Sequence, residues 1–262
     1  MSYIKFFAFT VLAFGVSFGC GGGAPAPESS GGSETAETAA PPAETFNVDP
    51  ATAATVSGKI FFDGEAPQPQ RINIADEECK AMHSDPIFSE QTVVNDDGTL
   101  QNVLVWVKKG LEGKTFPVSG DKVKLDQIGC IYKPHVAAVQ VGQTLSVTNS
   151  DPTLHNVHPL PRVNPEWNKS QAAGAGAIEE KFPKQELMIP VKCNIHPWMR
   201  SYISVIEHPF FAVTGADGSF EITGLPPGEY TIEAVHERLG NQETTVKVGD
   251  GESAAVELRF SN

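Results

Sequence analysis

Residues 192–200 read KCNIHPWMR, and this stretch is the strongest indication of the fold in the sequence. It places Cys193, His196 and Met199 in a Cys-x2-His-x2-Met spacing. A thiolate, an imidazole and a thioether form a soft ligand set, which suits copper better than magnesium or calcium. The stretch therefore predicts a metal-binding loop.

A further candidate ligand lies upstream, in residues 139–158 (VQVGQTLSVTNSDPTLHNVH). An alternating segment from Thr144 to Thr148 predicts a strand, which runs into the turn NSDP and then reaches His155. We expect His155 to lie on a loop just beyond the strand end, held by a rigid β scaffold. A second imidazole completes a trigonal His2Cys site with a weak axial methionine, the ligand set of blue-copper electron-transfer centres.

His155-Asn156 after the segment VGQTLSVTN, followed by the Cys-x2-His-x2-Met loop, resembles the cupredoxins. The short ligand loop, with a proline after its histidine, is most similar to that of amicyanin. The resemblance implies one type 1 copper, with His155, Cys193 and His196 as equatorial ligands and Met199 as the axial ligand.

The same resemblance implies that Asn156 braces the ligand loop from outside the metal site. We expect backbone N–H groups near Asn194 or Asn156 to hydrogen-bond the thiolate sulfur. His158 lies three residues past His155 and is a weaker candidate ligand, which we expect near the site or exposed. Trp198, beside the ligands, fits either an apolar docking patch or core packing.

Charge and motifs restrict the classes of function. The 262 residues carry 32 acidic against 19 basic side chains, for a formal net charge of −13. Nucleic acid is an unsuitable partner, because phosphate contacts need clustered Lys and Arg. The acidic balance suits docking to a basic redox partner. The sequence holds no phosphate loop, nucleophile motif or paired catalytic carboxylates, so we expect an electron carrier between cell-envelope proteins rather than an enzyme.

The N-terminus predicts export. Lys5 precedes an apolar run from Phe6 to Phe18, which is too short to span a membrane and ends at Gly19-Cys20. This pattern resembles a bacterial lipoprotein signal, so residues 1–20 are predicted as a signal peptide with lipidation at Cys20; plain secretion is the alternative. Residues 21–52, rich in Pro, Gly, Ser and Glu, predict a flexible tether from a membrane.

Two cysteines remain, Cys79 and Cys130. In an oxidising compartment two such cysteines most often form a disulfide. Together with His83 and His135 they also fit a second metal site of Cys2His2 type. Both alternatives stay open from sequence.

Short apolar segments separated by Gly and Pro predict an all-β fold. We expect residues 53–208 to form one enlarged Greek-key cupredoxin sandwich, in which the irregular stretch 159–185 borders the copper site. Residues 209–262, through TGADGSFEITGLPPGEYTIEA, resemble the carboxypeptidase regulatory-like, prealbumin-type β-sandwiches, which are grouped with carbohydrate-binding-like folds.

Two other functions compete with electron transfer. The C-terminal module could bind a glycan or another envelope component, with the metal only stabilising the fold. The same four ligands could also serve copper storage or delivery, if the copper exchanged readily.

Overall fold

The structure is a computed structural model that describes residues 45–262. The predicted signal peptide, its lipidation site Cys20 and most of the predicted tether lie outside the described residues. Within residues 45–262 the single helix has five residues, which is too short to cross a membrane.

The described residues are almost entirely β-structure, as the sequence predicted. The first elements are β1 (Ala54–Asp63), α1 (Glu77–Ala81), β2 (Leu104–Lys109), β3 (Val123–Gln127), β4 (Tyr132–Lys133), β5 (Val136–Gln140), β6 (Leu145–Asn149), β7 (His155–Pro159) and β8 (Lys169–Gln171). They are followed by β9 (Ile178–Glu180), β10 (Glu186–Lys192), β11 (Arg200–Ile206), β12 (Phe211–Val213), β13 (Ser219–Leu225), β14 (Gly228–His236), β15 (Gly240–Val248) and β16 (Ser253–Ser261).

The strands form four sheets around two main apolar cores. Sheets β13-β1-β16 and β12-β2-β14-β15 enclose one core, and we call this pair the first sandwich. Sheets β5-β11-β10-β7-β8 and β4-β3-β6-β9 enclose the other, and we call this pair the second sandwich. The inward-facing residues are mostly Val, Ile, Leu and Phe, which pack well on a pleated surface. A small apolar cluster of Leu104, Trp106 and Ile206 joins the two sandwiches.

Strand pairing crosses the predicted boundary at residue 208. β1 pairs in parallel with β16 and antiparallel with β13, and β2 pairs with β12 and β14. The predicted segment 53–208 therefore supplies strands to all four sheets, and the strands of 209–262 share theirs with β1 and β2. The second sandwich is built from strands of residues 123–206 and is inserted between β2 and β12. The likeness of 209–262 to the prealbumin-type modules stays a prediction.

β1 approaches β16 closely at Gly58, which lies opposite Val256 in the parallel pairing. A Cβ atom on Gly58 would lie 1.8 Å from the carbonyl oxygen of Val256. The glycine is therefore required by the backbone of the neighbouring strand rather than by a turn.

Residues 159–185 are less irregular than their composition indicates. They contain the three-residue strands β8 and β9, which pair with β7 and β6. The stretch borders the predicted site, as expected, because Glu166 and Asn168 contact His158 and Asn156.

Candidate metal centre

Three neighbouring strands of the second sandwich position the predicted ligands. β10 ends at Lys192, directly before Cys193, and β11 begins at Arg200, directly after Met199. Lys192 pairs with Arg200 on one side and with His158 on the other. Both ends of the 193–199 loop are therefore fixed by the hairpin, and β7 lies beside it.

His155 is the first residue of β7 rather than part of the preceding loop. The expected loop position is therefore wrong, because pairing with β8 begins at His155 itself, opposite Gln171. The strand gives this side chain a more rigid support than a loop would.

Two imidazoles and one thiol converge on a common point. Nδ1 of His155 lies 2.9 Å from Nδ1 of His196, and Sγ of Cys193 lies 4.0 Å from the same His196 atom. One donor atom from each of the three residues lies within 4.8 Å of the others. The side chains are buried, with exposures of 0% for His155, 2% for Cys193 and 3% for His196. This is a cluster of two nitrogen donors and one sulfur donor, withdrawn from solvent.

Met199 completes the loop and is 0% exposed. Its backbone N–H donates to the carbonyl of His196 (3.0 Å), and its carbonyl accepts from the N–H of Cys193 (3.3 Å). The N–H of His196 donates to the Cys193 sulfur over 3.4 Å. Met199 belongs to the same buried apolar core as Cys193, three residues after His196 in the ligand loop.

Opposing effects set the protonation of the thiol and of His155. Burial raises the pKa of Cys193, but hydrogen bonds from His155 and from backbone amides, including that of Asn156, outweigh it and lower the pKa overall. Burial lowers the pKa of His155, but its hydrogen bonds to Cys193 and Asp151 outweigh that effect and raise it. For His196 burial dominates and the pKa is lowered, which keeps this imidazole neutral.

Asp151 orients His155 and was not predicted from sequence. Its carboxylate accepts a hydrogen bond from Nε2 of His155 over 2.8 Å, which leaves Nδ1 free to act as a metal donor. The same carboxylate accepts from the backbone amides of Gly129 (2.6 Å) and Cys130 (2.7 Å). The available signal was its place in the turn NSDP, four residues before the predicted ligand.

Cys79 and Cys130 form a disulfide, with a sulfur–sulfur distance of 2.00 Å. The Cys2His2 alternative is not formed: His83 bonds the carbonyl of Gly129, and His135 bonds Glu237. Sγ of Cys79 lies 3.7 Å from Nε2 of His196. The disulfide therefore forms part of the wall of the metal centre, which the sequence did not indicate.

The predicted supporting asparagines lie beside the ligand loop. Oδ1 of Asn156 accepts a hydrogen bond from the backbone N–H of Asn194. Oδ1 of Asn194 lies 3.2 Å from Nδ1 of His158, whose Nε2 contacts Glu166 at 2.6 Å. His158 is therefore a member of this bracing network and is absent from the donor clusters found in residues 45–262.

The chemistry of this donor set fits a soft or borderline metal. Two imidazole nitrogens and one thiolate form a soft donor set, which suits copper better than magnesium or calcium. The two nearby carboxylates, Asp76 and Asp151, belong to overlapping groups that share His196 or His155 with this cluster and include a cysteine of the disulfide. His155, Cys193, His196 and Met199 are the residues that would hold such an ion.

No family model and no curated protein matches this chain. Among solved structures, a copper-containing nitrite reductase from Thermus scotoductus SA-01 is similar over 39% of this chain and 25% of its own, at 20% identity and a TM-score of 0.32. The chain thus spans about a quarter of the reductase's length. A purple cupredoxin from Nitrosopumilus maritimus is similar over 32% of this chain and 98% of its own, at 19% identity and a TM-score of 0.28. A copper(I) amicyanin variant is similar over 34% and 85%, at 23% identity and a TM-score of 0.29.

Proposed function

We propose that this chain is an electron carrier that holds one type 1 copper ion through His155, Cys193, His196 and Met199. The observation that carries the proposal is the convergence of two imidazole nitrogens and one thiol sulfur within 4.8 Å of one another in a buried place. Bound copper would supply a one-electron couple, Cu(I)/Cu(II).

The residues around the ligands favour rapid electron exchange. The β10–β11 hairpin fixes both ends of the ligand loop, and Asp151 fixes the ring of His155. Ligands that are held in place by their surroundings move little when the metal changes charge, and a small rearrangement speeds electron transfer.

Burial of the donors argues for a carrier rather than an enzyme or a delivery protein. A catalytic metal site keeps an open position for its substrate. Here all four predicted ligand side chains are buried, which hinders both substrate access and ready release of the ion. The glycan-binding alternative needs exposed aromatic rings, but four of the five phenylalanine and tyrosine residues in 209–262 are buried in the first sandwich: Phe210, Phe220, Tyr230 and Phe260. The fifth, Phe211, is half-buried against the cluster of Leu104, Trp106 and Ile206.

The proposal includes export and redox partners in the cell envelope. The Cys79–Cys130 disulfide supports an oxidising compartment, because such bonds are rare in the reducing cytoplasm. Anchoring to a membrane through Cys20 belongs to the same proposal and rests on the sequence of residues 1–20.

Visible absorption and EPR spectra of the copper-loaded protein test the ligand assignment. We expect an intense band at about 600 nm and a narrow copper hyperfine splitting, since both report a covalent copper–thiolate bond. Cys193→Ser removes the thiolate and should abolish the band.

A matched pair of histidine variants separates the ligand from its neighbour. His155→Gln should abolish the band, whereas His158→Gln should keep it, because His158 contacts Asn194 and Glu166 rather than the donor cluster. A band that survives Cys193→Ser, or a protein that takes up zinc and remains colourless with copper, would overturn the proposal.

A further inference from the structure

His196, whose ring contacts the disulfide, has little direct access to solvent. It is 3% exposed, and its Nε2 edge faces Sγ of Cys79 at 3.7 Å. Cys79 is itself fully buried in α1 and is bonded to Cys130. A partner protein therefore cannot reach the edge of this imidazole directly, and electrons need another route to the surface.

Trp198 provides such a route. Its ring centroid lies 5.1 Å from that of His196, and its side chain is half-buried. Nε1 of Trp198 donates a hydrogen bond to the carbonyl of Cys130 over 3.0 Å, which fixes the indole. Trp198 also lines a surface groove of about 420 Å³. Trp198 thus links the metal centre to this groove.

The groove carries positive charge on a strongly acidic protein. Three exposed basic side chains line it: Arg71, Lys133 and Arg200. None of them forms an ion pair with another residue of the described part of the chain. Glu90 is the one acidic residue among the lining side chains. Like charges without partners repel one another, so an anionic surface that enters the groove relieves this repulsion.

Apolar surface accompanies the charge. Phe88 is 49% exposed and lines the same groove, together with the half-buried Ile131. A centre of aromatic and aliphatic side chains with a charged rim is the usual composition of a protein–protein contact. An adjoining cavity, which shares Gln70, Ser89 and Gln91 with the groove, adds Arg238 to the basic rim.

We propose that this groove, lined by Trp198 and rimmed by Arg71, Lys133 and Arg200, is the docking surface for a redox partner that presents an acidic face. The inference rests on the proposed electron-transfer function and specifies its partner. The net charge alone favoured a basic partner. The groove favours an acidic one instead, because the charge at the point of contact governs docking.

Two small redox reagents of opposite charge test the surface in the copper-loaded protein. Hexacyanoferrate(III), an anion, takes one electron from the reduced protein and becomes hexacyanoferrate(II); tris(phenanthroline)cobalt(III), a cation, is reduced to cobalt(II) in the same way. In the triple variant Arg71→Gln, Lys133→Gln, Arg200→Gln, we expect the anion's second-order rate to fall about tenfold at low ionic strength and the cation's rate to rise.

The matched control removes the same charge elsewhere. Lys109, Lys181 and Lys247 are exposed, lie outside the groove and form no ion pair within residues 45–262, so their triple Gln variant should change each rate by about twofold or less. Trp198→Leu should slow both reagents while the absorption band stays. Equal effects of the two triple variants would overturn the proposal.

A binding experiment on the metal-free protein keeps this test independent of the copper proposal. Hexacyanocobaltate(III) is an anion that does not exchange electrons under these conditions. We expect it to shift the NMR signals of the Trp198 indole N–H and of the amides of Lys133 and Arg200, and the shifts should vanish in the groove variant. Shifts that lie elsewhere on the surface would refute the docking surface even if copper binds as proposed.

Discussion

At the scale of single residues, one carboxylate joins three parts of the metal centre. Asp151 binds the ring of His155 and two amides of the 129–130 turn, and Cys130 in that turn carries the disulfide that reaches His196. Both imidazoles are thus supported from outside the donor cluster. A partner of this kind fixes the ring and raises the basicity of the donor nitrogen.

Replacing this carboxylate should weaken the binding of copper. For Asp151→Ala we expect the affinity to fall about 10- to 100-fold, since that is the usual effect of losing a hydrogen-bond partner of a metal-bound histidine. Competition with a chelator of known affinity measures the change.

Asp126 provides the control, because it accepts hydrogen bonds from Thr148 and Ser150 rather than from a ligand. Asp126→Ala should leave the affinity of the site unchanged. Equal affinities for the Asp151 and Asp126 variants would show that the carboxylate does not support His155.

The proposed ligands could be named from sequence, whereas the residues that support them could not. Cys193, His196 and Met199 lie within one short loop, so their spacing alone shows that they can meet. Asp151 lies only four residues before His155, but its local sequence resembles an ordinary turn. Cys79 reaches His196 from a distant short helix. Contacts of this kind depend on tertiary packing, which residue spacing does not encode.

At the scale of elements, the position of a strand along the chain could be predicted from sequence better than the strands it pairs with. The alternating residues of the segment from Thr144 to Thr148 located β6 to within one position at each end. Their alternation does not say which strand lies alongside, and β1 pairs with β13 and β16 rather than with strands nearer in sequence. Within β1, the sequence feature that reflects the pairing with β16 is Gly58, where the two backbones approach closely.

Gly58→Ala should therefore disrupt the first sandwich. The added Cβ would overlap the carbonyl oxygen of Val256, and because that atom belongs to the backbone it cannot move aside without shifting β16. We expect a loss of about 3 kcal/mol or more in the free energy of unfolding, at the upper end of the cost of overpacking. Urea denaturation measures it.

Gly120→Ala is the matched substitution, since a Cβ at Gly120 meets no atom within 4 Å. Its denaturation midpoint should stay close to that of the unmodified protein. If both variants unfolded at the same urea concentration, the close approach of β1 and β16 at Gly58 would be contradicted.

At the scale of the whole molecule, the disulfide ties the segment that contains α1 to the second sandwich. Cys79 precedes β2 in the chain, yet it packs with Leu125, Tyr132 and Cys193 in the core of the second sandwich. Its partner Cys130 is 51 residues away. The covalent bond thus holds the segment between β1 and β2, two strands of the first sandwich, against the metal centre in the second sandwich.

Removing the disulfide should destabilise the protein without removing a ligand. For the double variant Cys79→Ser, Cys130→Ser, we expect the free energy of unfolding to fall by about 4 kcal/mol, because the unfolded chain regains the entropy of a loop of this length. Chemical denaturation of the metal-free protein gives the value.

The absorption band separates the structural role of the disulfide from a role in metal binding. Because neither cysteine belongs to the predicted ligand set, the copper-loaded double variant should keep its band at about 600 nm. Loss of the band in a variant that remains folded would mean that the disulfide is part of the donor set.

Because the second sandwich is inserted between β2 and β12, its strands become available before those of the first sandwich are complete. The strands from β3 to β11 emerge as one uninterrupted series, during synthesis or export, so this half can fold before β12 to β16 have appeared. β1 emerges earlier but stays without its neighbours until β13 and β16 have been made. Contacts between such distant parts of a chain form slowly. We therefore expect the half that carries the proposed copper ligands to assemble first and the half that begins with β1 to close last.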